Sequence, residues 1–295
     1  MPGEFDLIDW LRAQTASNPH IPIPLGDDLA AVKWSGSDLL LVGVDQVLDG
    51  VHFKSAEHSP KLIARKVMNR NLSDCAAMAC VPVYAVATFA LPAHAGLAYA
   101  RELFQGLREA ADPYKVTIVG GDTATWSGPL AITVTILGKS DGVPPISRSG
   151  AKIGDGLFVT GALGGSILGR HLSFDPKIRT ARHLAQTSRI TSMIDISDGL
   201  SRDLAHLCQL SKVGAMVRAD LIPIHDDAHT LSKQDGISPL EHALHDGEDH
   251  ELLFTTPDEP LAGTRIGTIM AGTRIFLRNH GVDQLLEQKG WEHKL

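Results

Sequence analysis

Hydrophobic positions along the chain switch repeatedly between a period of two and a period near 3.6. Apolar runs at 30–34 and 39–44, parted by the turn Ser35-Gly36-Ser37, predict two strands. Ser59-Pro60 then opens a helical pattern to about Ala79, with proline in its first turn. A buried strand is expected over 81–91, a helix over 97–111, a short strand over 116–119 and an alternating strand over 131–137. Further upstream, Leu7, Ile8, Trp10 and Leu11 have helical spacing that Pro22 and Pro24 end. The turn-rich Gly142-Val143-Pro144-Pro145 suggests a boundary, giving a first domain over 1–145 and a second over 146–295. The second half reads as a strand at 156–160, a glycine turn at 161–165 and helices to about Gln186. A strand at 192–196, a helix at 199–210 and a strand at 215–219 follow. After a long polar loop come strands near 252–255, 265–270 and 274–277. Strands and helices alternate in both halves, so the fold class is α/β or α+β.

Composition narrows the classes. With 295 residues, 43% hydrophobic and 21% charged, the chain has enough apolar mass for sizeable cores and is not a disordered one. A net charge of −7 without a Lys/Arg run argues against binding nucleic acid. Three cysteines, Cys75, Cys80 and Cys208, make no disulfide framework and fit a reducing cytoplasm; the N-terminal residues lack the basic-then-apolar order of a signal peptide. The uncharged stretch from Cys75 to Ala100 is long, but Pro82, Pro92, His94 and Gly96 interrupt it, so no membrane span is expected.

The chemistry gathers on aspartates. Gly26-Asp27-Asp28, Gly43-Val44-Asp45, Asn71-Leu72-Ser73-Asp74, Gly120-Gly121-Asp122-Thr123 and Asp195-Ile196-Ser197-Asp198-Gly199 each set a carboxylate at the edge of apolar sequence. One such Asp usually caps a helix or satisfies a turn. Asp74 differs, because it falls inside a helical pattern beside Ala and Met, where an unpaired carboxylate is costly. Carboxylates that converge need cations between them, and Mg²⁺ is the oxygen-loving ion that carboxylates share with phosphates. Neither a Walker P-loop, a dinucleotide fingerprint nor the protein-kinase set is present in the sequence. Gly120-Gly121 after a strand would let backbone approach a phosphate, and Ser197-Asp198 would sit at a helix N-terminus suited to an anion.

Taken in order, these segments resemble the thiamine-monophosphate kinase family. The resemblance adds Gly3-Glu4-Phe5, Gly50-Val51-His52-Phe53, Arg148-Ser149-Gly150-Ala151, Gly247-Glu248-Asp249 and Gly290-Trp291 to the aspartate motifs. It implies the two-domain aminoimidazole ribonucleotide synthetase-like fold, with an N-terminal domain that dimerises through its sheet. It implies ATP-dependent conversion of thiamine monophosphate to thiamine diphosphate, by direct in-line transfer with several Mg²⁺ ions. Carried over residue by residue, Asp28, Asp45, Asp74, Asp122, Asp195 and Asp198 are the metal ligands, with Asp45, Asp74, Asp122 and Asp198 at the heart of catalysis. Gly121, Asp122, Arg148 and Ser197 fall on ATP-contacting positions, and His52, Glu248 and Trp291 on positions facing the thiamine phosphate.

The chain departs from the family pattern at Gly43 and Val44, where hydroxyl residues are usual, at Arg70, where a small or apolar residue is usual, and at His250, where tyrosine is common. Three other readings compete. One is a superfamily relative with another acceptor. A second is a metallohydrolase built on His242, His245, Asp246, Glu248 and His250. The third is a nucleotide-binding module made inactive at Gly43-Val44.

Overall fold

A computed structural model of the chain describes residues 18–24, 26–36 and 38–291. The helix expected near Leu7–Leu11 and the Gly3-Glu4-Phe5 motif lie outside the described residues. Two sheets organise the rest. The first contains β1 (Ala30–Ser35), β2 (Asp38–Leu48), β3 (Val81–Pro92), β4 (Thr117–Trp126) and β5 (Ala131–Lys139) in the order β1-β2-β5-β3-β4. Helices α1 (Pro60–Ala77) and α2 (Gly96–Ala111) belong to this half. Ser59 caps α1 by accepting from the backbone N–H of Leu62, and Pro60 fills its first position, as the sequence predicts.

The second sheet runs β12 (Val282–Leu285), β11 (Ile275–Asn279), β8 (Gly214–Arg218), β10 (Thr264–Met270), β6 (Gly156–Val159), β9 (Leu252–Thr256) and β7 (Ser192–Asp195). Helices α3 (Ile178–Thr187) and α4 (Leu200–Ser211) join it, together with α5 (Asp226–Asp235) and α6 (Pro239–His245). These last two occupy the stretch expected to be a polar loop. Their apolar faces are too narrow to set a clear period; Ala228 is the single buried residue of α5. Two 3₁₀ turns, at 166–168 and 170–172, stand where helices were expected between the glycine turn and α3.

Each half has a core. Leu41, Ile63, Leu72, Leu103 and Ile132 are fully buried in the first, and Leu157, Ile194, Leu204 and Ile266 in the second. The first core does not stop at the sequence boundary. Ile178, Ala181, Leu184, Met193 and Phe254 pack into it, so the two halves are held together by shared apolar burial. All three cysteines are buried and unpaired, as packing residues should be. Among the described residues, no helix is long and apolar enough to cross a membrane.

Two strands run further than their hydrophobic patterns suggest. β2 continues through Asp45 to Leu48, which sets Asp45 in mid-strand opposite Val134 of β5. β4 continues through Gly120-Gly121-Asp122 to Trp126, so the expected glycine turn is a strand interrupted by a bulge against β3. A Cβ at Gly121 would run into the carbonyl oxygen of Ala87, so this glycine serves close strand packing, whereas one at Gly120 would meet open space.

Candidate active site

The two halves meet at a cleft of about 750 Å³. Asp28, Asp45, Asp74, Arg148, Asp195, Ser197, Asp198, His52, Glu248 and Trp291 all line it, so ten of the expected site residues converge from distant parts of the sequence. Asp28 comes from the turn before β1, Asp45 from the helix-facing side of β2 and Asp74 from the last turns of α1. Asp195 ends β7, and Ser197 and Asp198 form the turn into α4.

Three of the aspartates form the centre. Oxygens of Asp28, Asp74 and Asp195 lie within 4.8 Å of one another, and no other such group of three or more acidic, His or Cys side chains is found among the described residues. Burial, and then the charges of Asp45, Asp195 and Asp28, push the Asp74 carboxyl well above the usual range. Asp28 is pushed up to about 7, mainly by burial, against the pull of Arg148. Arg148 holds it with two bonds, Nε to Oδ2 at 2.9 Å and Nη2 to Oδ1 at 2.7 Å. Asp195 differs: although burial opposes it, a bond from His250 Nδ1 at 3.2 Å and one from Ser73 Oγ at 2.5 Å hold it below the usual range. The Asp74 carboxylate makes no hydrogen bond among the described residues, and its charge is the one that a bound cation would offset.

The substrate-side wall is built on two backbone pins. Glu248 N donates to Ser197 O at 2.7 Å and His250 N to Ile196 O at 2.8 Å. Glu248 and His250 both hold left-handed backbone, with φ of 53° and 50°, a conformation non-glycine residues adopt at some cost. Gly247 precedes them because a Cβ there would press on the Ser197 carbonyl. The C-terminal chain returns to the cleft, where Trp291 N donates to Asp198 O at 3.1 Å. His52 accepts from Leu48 N through Nδ1 at 3.0 Å.

Gly121 and Asp122 are not brought to this cleft within one chain. Asp122 pairs with Thr88, Thr88 with Thr133 and Thr133 with Gln46, so the four share one face of the first sheet. Asp45, Val134 and Ala87 form the neighbouring row on the opposite face. β4 is also the edge strand, three strand spacings or about 14 Å from β2.

Lys66 and Asp203 escaped the sequence reading, and Arg70 entered it only as a departure from the family pattern. Lys66 is fully buried; its Nζ donates to His52 O at 2.7 Å and Glu248 Oε2 at 2.5 Å. Arg70 donates through Nε to Asp45 Oδ2 at 2.9 Å and through Nη1 to Glu248 Oε1 at 3.3 Å. Although burial opposes it, these two cations hold the Glu248 carboxyl below its ordinary value. Asp203 of α4 accepts the Asp198 N–H at 3.1 Å and steadies the turn. Lys66, Arg70 and Asp74 are spaced by four, one stripe of α1 aimed at the cleft, and that spacing was a legible signal. The histidines of the alternative hydrolase site form no common ligand group among the described residues: His242 bonds Asp246 and Asp235, His245 bonds Ser201, and His250 bonds Asp195.

Comparison with known proteins places the chain in a family. Residues 26–140 match the family model of the AIR synthase related protein N-terminal domain. The thiamine-monophosphate kinase of Rhodopirellula baltica is 42% identical over 292 residues, covering 93% of this chain and 92% of that protein. The chain belongs to the thiamine-monophosphate kinase family. That of Aquifex aeolicus is 32% identical over 99% of this chain and 98% of its own length. The solved structure of AaThiL complexed with AMPPCP and TMP superposes with a TM-score of 0.88 at 30% identity, covering 99% of this chain and 97% of that one. The α/β fold and the kinase class expected from the sequence are therefore borne out.

Proposed function

We propose that the chain transfers the γ-phosphoryl group of ATP to the phosphate of thiamine monophosphate, yielding thiamine diphosphate and ADP. An acceptor phosphate oxygen forms the new P–O bond in line with the β–γ bridging oxygen, which leaves with ADP. The observation that carries the reading is the convergence of Asp28, Asp74 and Asp195 in the same cleft as His52, Glu248 and Trp291. The acceptor oxygen is already anionic, so the cleft needs no strong base; it needs position and charge balance.

A buried all-oxygen donor set in which Asp28 and Asp74 are both pushed up fits Mg²⁺ and does not fit zinc. Asp28, Asp45, Asp74, Asp195 and Asp198 would hold the ions. Bound Mg²⁺ would supply neutralising charge for the phosphates. Arg148, oriented by Asp28, and Ser197 face the nucleotide phosphates in this reading, and Glu248, His52 and Trp291 position the thiamine part. Trp291 is half-exposed and available to stack on a ring. Residues 1–145 form the ATP- and metal-binding domain and 146–295 the second domain, and the enzyme works in the cytoplasm.

We further propose that the enzyme is a homodimer in which Gly121 and Asp122 serve the partner's cleft. Nine of the ten residues of β4 are exposed, and apolar Val44, Tyr84 and Val119 stand in the open on the first sheet. A second copy would cover them and carry Asp122 out of the position that keeps it from its own Asp45. Asp74→Asn and Asp122→Asn should each be inactive alone, yet mixing and re-associating them should restore roughly a quarter of the activity, as one intact site forms in each hybrid dimer. No recovery in hybrids shown to form would refute the shared site.

The direct test of function combines purified protein, ATP, Mg²⁺ and thiamine monophosphate, with thiamine diphosphate read by chromatography. Diphosphate should appear in step with ADP. ADP formed without diphosphate would overturn the acceptor assignment.

A further inference from the structure

Two neighbouring carboxylates of the cleft are balanced differently. The Asp74 carboxylate makes no hydrogen bond or close ion pair among the described residues and sits amid the charges of Asp45, Asp195 and Asp28. Asp45 is already paired. Arg70 Nε reaches Asp45 Oδ2 at 2.9 Å and Nη1 reaches Glu248 Oε1 at 3.3 Å, and the arginine itself lines the cleft. Its side chain is only 16% exposed, so solvent screens these contacts little. The residues before Asp45, Gly43 and Val44, offer no side-chain oxygen, so an ion there would rely on Asp45, Glu248 and backbone carbonyls.

We infer that Arg70 is a built-in cation of the active-site cleft, a positioning residue that balances Asp45 and Glu248 in place of one metal ion. The guanidinium carries a fixed charge, is never deprotonated, and presents planar donors to two carboxylates at once. A divalent ion at the same place would require several oxygens at short range, and Arg70 already occupies Asp45 Oδ2 and Glu248 Oε1. Arg70 takes one oxygen of Asp45 and leaves Oδ1 to an ion shared with the triad. The inference rests on the Mg²⁺ reading above, and its consequence is a count: the wild-type cleft holds one ion fewer than its carboxylates would otherwise admit.

Mn²⁺ bound per protomer, measured by electron paramagnetic resonance with saturating AMPPCP, provides the test. Arg70→Gln frees Asp45 Oδ2 and Glu248 Oε1 and should bind one more Mn²⁺ than the wild type. Arg70→Lys keeps the charge and should bind the wild-type number. If Arg70→Gln fails to fold, the Arg70→Gln/Glu248→Gln double variant, which removes one charge of each sign but still releases Asp45, should show the same additional ion. A purely structural ion pair would leave the count unchanged. Equal counts in wild type and variant, with ions bound to both, would overturn the inference and leave the Mg²⁺ reading standing. No Mn²⁺ on either protein would overturn both.

Discussion

Replacing Asp74 by Asn should abolish most turnover while making the metal-free protein more stable. Asn keeps the shape of the side chain and removes the charge that burial and three neighbouring carboxylates oppose. Loss of one group that organises charge around a transferring phosphoryl costs a factor of about 10²–10³ in kcat. Relief of the repulsion should raise stability by about 1 kcal/mol at pH 8, the range seen when strained functional sites are neutralised. The gain should shrink on acidification. Asp28 and Asp74 are raised in the folded chain, which therefore holds protons that the unfolded chain has lost above about pH 4. Stability of the metal-free wild type must fall as pH rises from about 4.5 through the raised carboxyls, to about 7 for Asp28. Asp195 and Glu248, held low, lose their contribution only below the ordinary carboxylate range and leave this window untouched. Calorimetric melting of both proteins in chelator, at about pH 5.5 and pH 8, checks the sign. A variant less stable than wild type at the higher pH would show that Asp74 is not under repulsion.

Lys66→Met should be among the most damaging single changes to stability. The ammonium is completely buried, and its loss leaves the His52 carbonyl without this donor and Glu248 with Arg70 alone. Breaking a buried pair from one side costs about 3–5 kcal/mol, because the remaining charge stays out of water. For a chain of this size about 3 kcal/mol corresponds to a melting temperature lower by roughly 6–12 °C. Burial holds the Lys66 ammonium below its ordinary value, with Glu248 opposing, so it gives up its proton, and the pair its attraction, at a lower pH than an exposed lysine would. Thermal melting with and without substrate gives the measure. If the shift is under a degree or two, Glu248 is satisfied by Arg70 and the buried lysine contributes packing only.

The site was legible to an unequal degree. Aspartates at the edges of apolar runs were visible because a carboxylate in such sequence needs an explanation, and ten of the expected residues do line one cleft. Lys66 was not singled out and Arg70 only as a departure from the family pattern, although their spacing with Asp74 on α1 marks a common stripe, because long cationic side chains on a helix usually reach solvent. The helices α5 and α6 were missed for the opposite reason. Their sequence is polar on most sides and their helicity is held by caps, His225 accepting from Asp227 N and Ser238 accepting from Glu241 N.

The sequence by itself determined most of the strands and the longer helices, since the hydrophobic period and the Ser59-Pro60 start act locally. It also determined the chemistry on offer, an oxygen-rich acidic set in a chain of the thiamine-monophosphate kinase family. Only the tertiary structure decided which carboxylates share a space. Asp45 and Asp122 look equivalent in the sequence, each within two residues after a glycine at the end of an apolar run. Sheet order and pairing register put them on opposite faces, about 14 Å apart across the strands. A period of two fixes alternation along a strand but not which neighbour it pairs with, and that choice separated Asp122 from the Asp28–Asp74–Asp195 centre and placed Arg70 on Asp45.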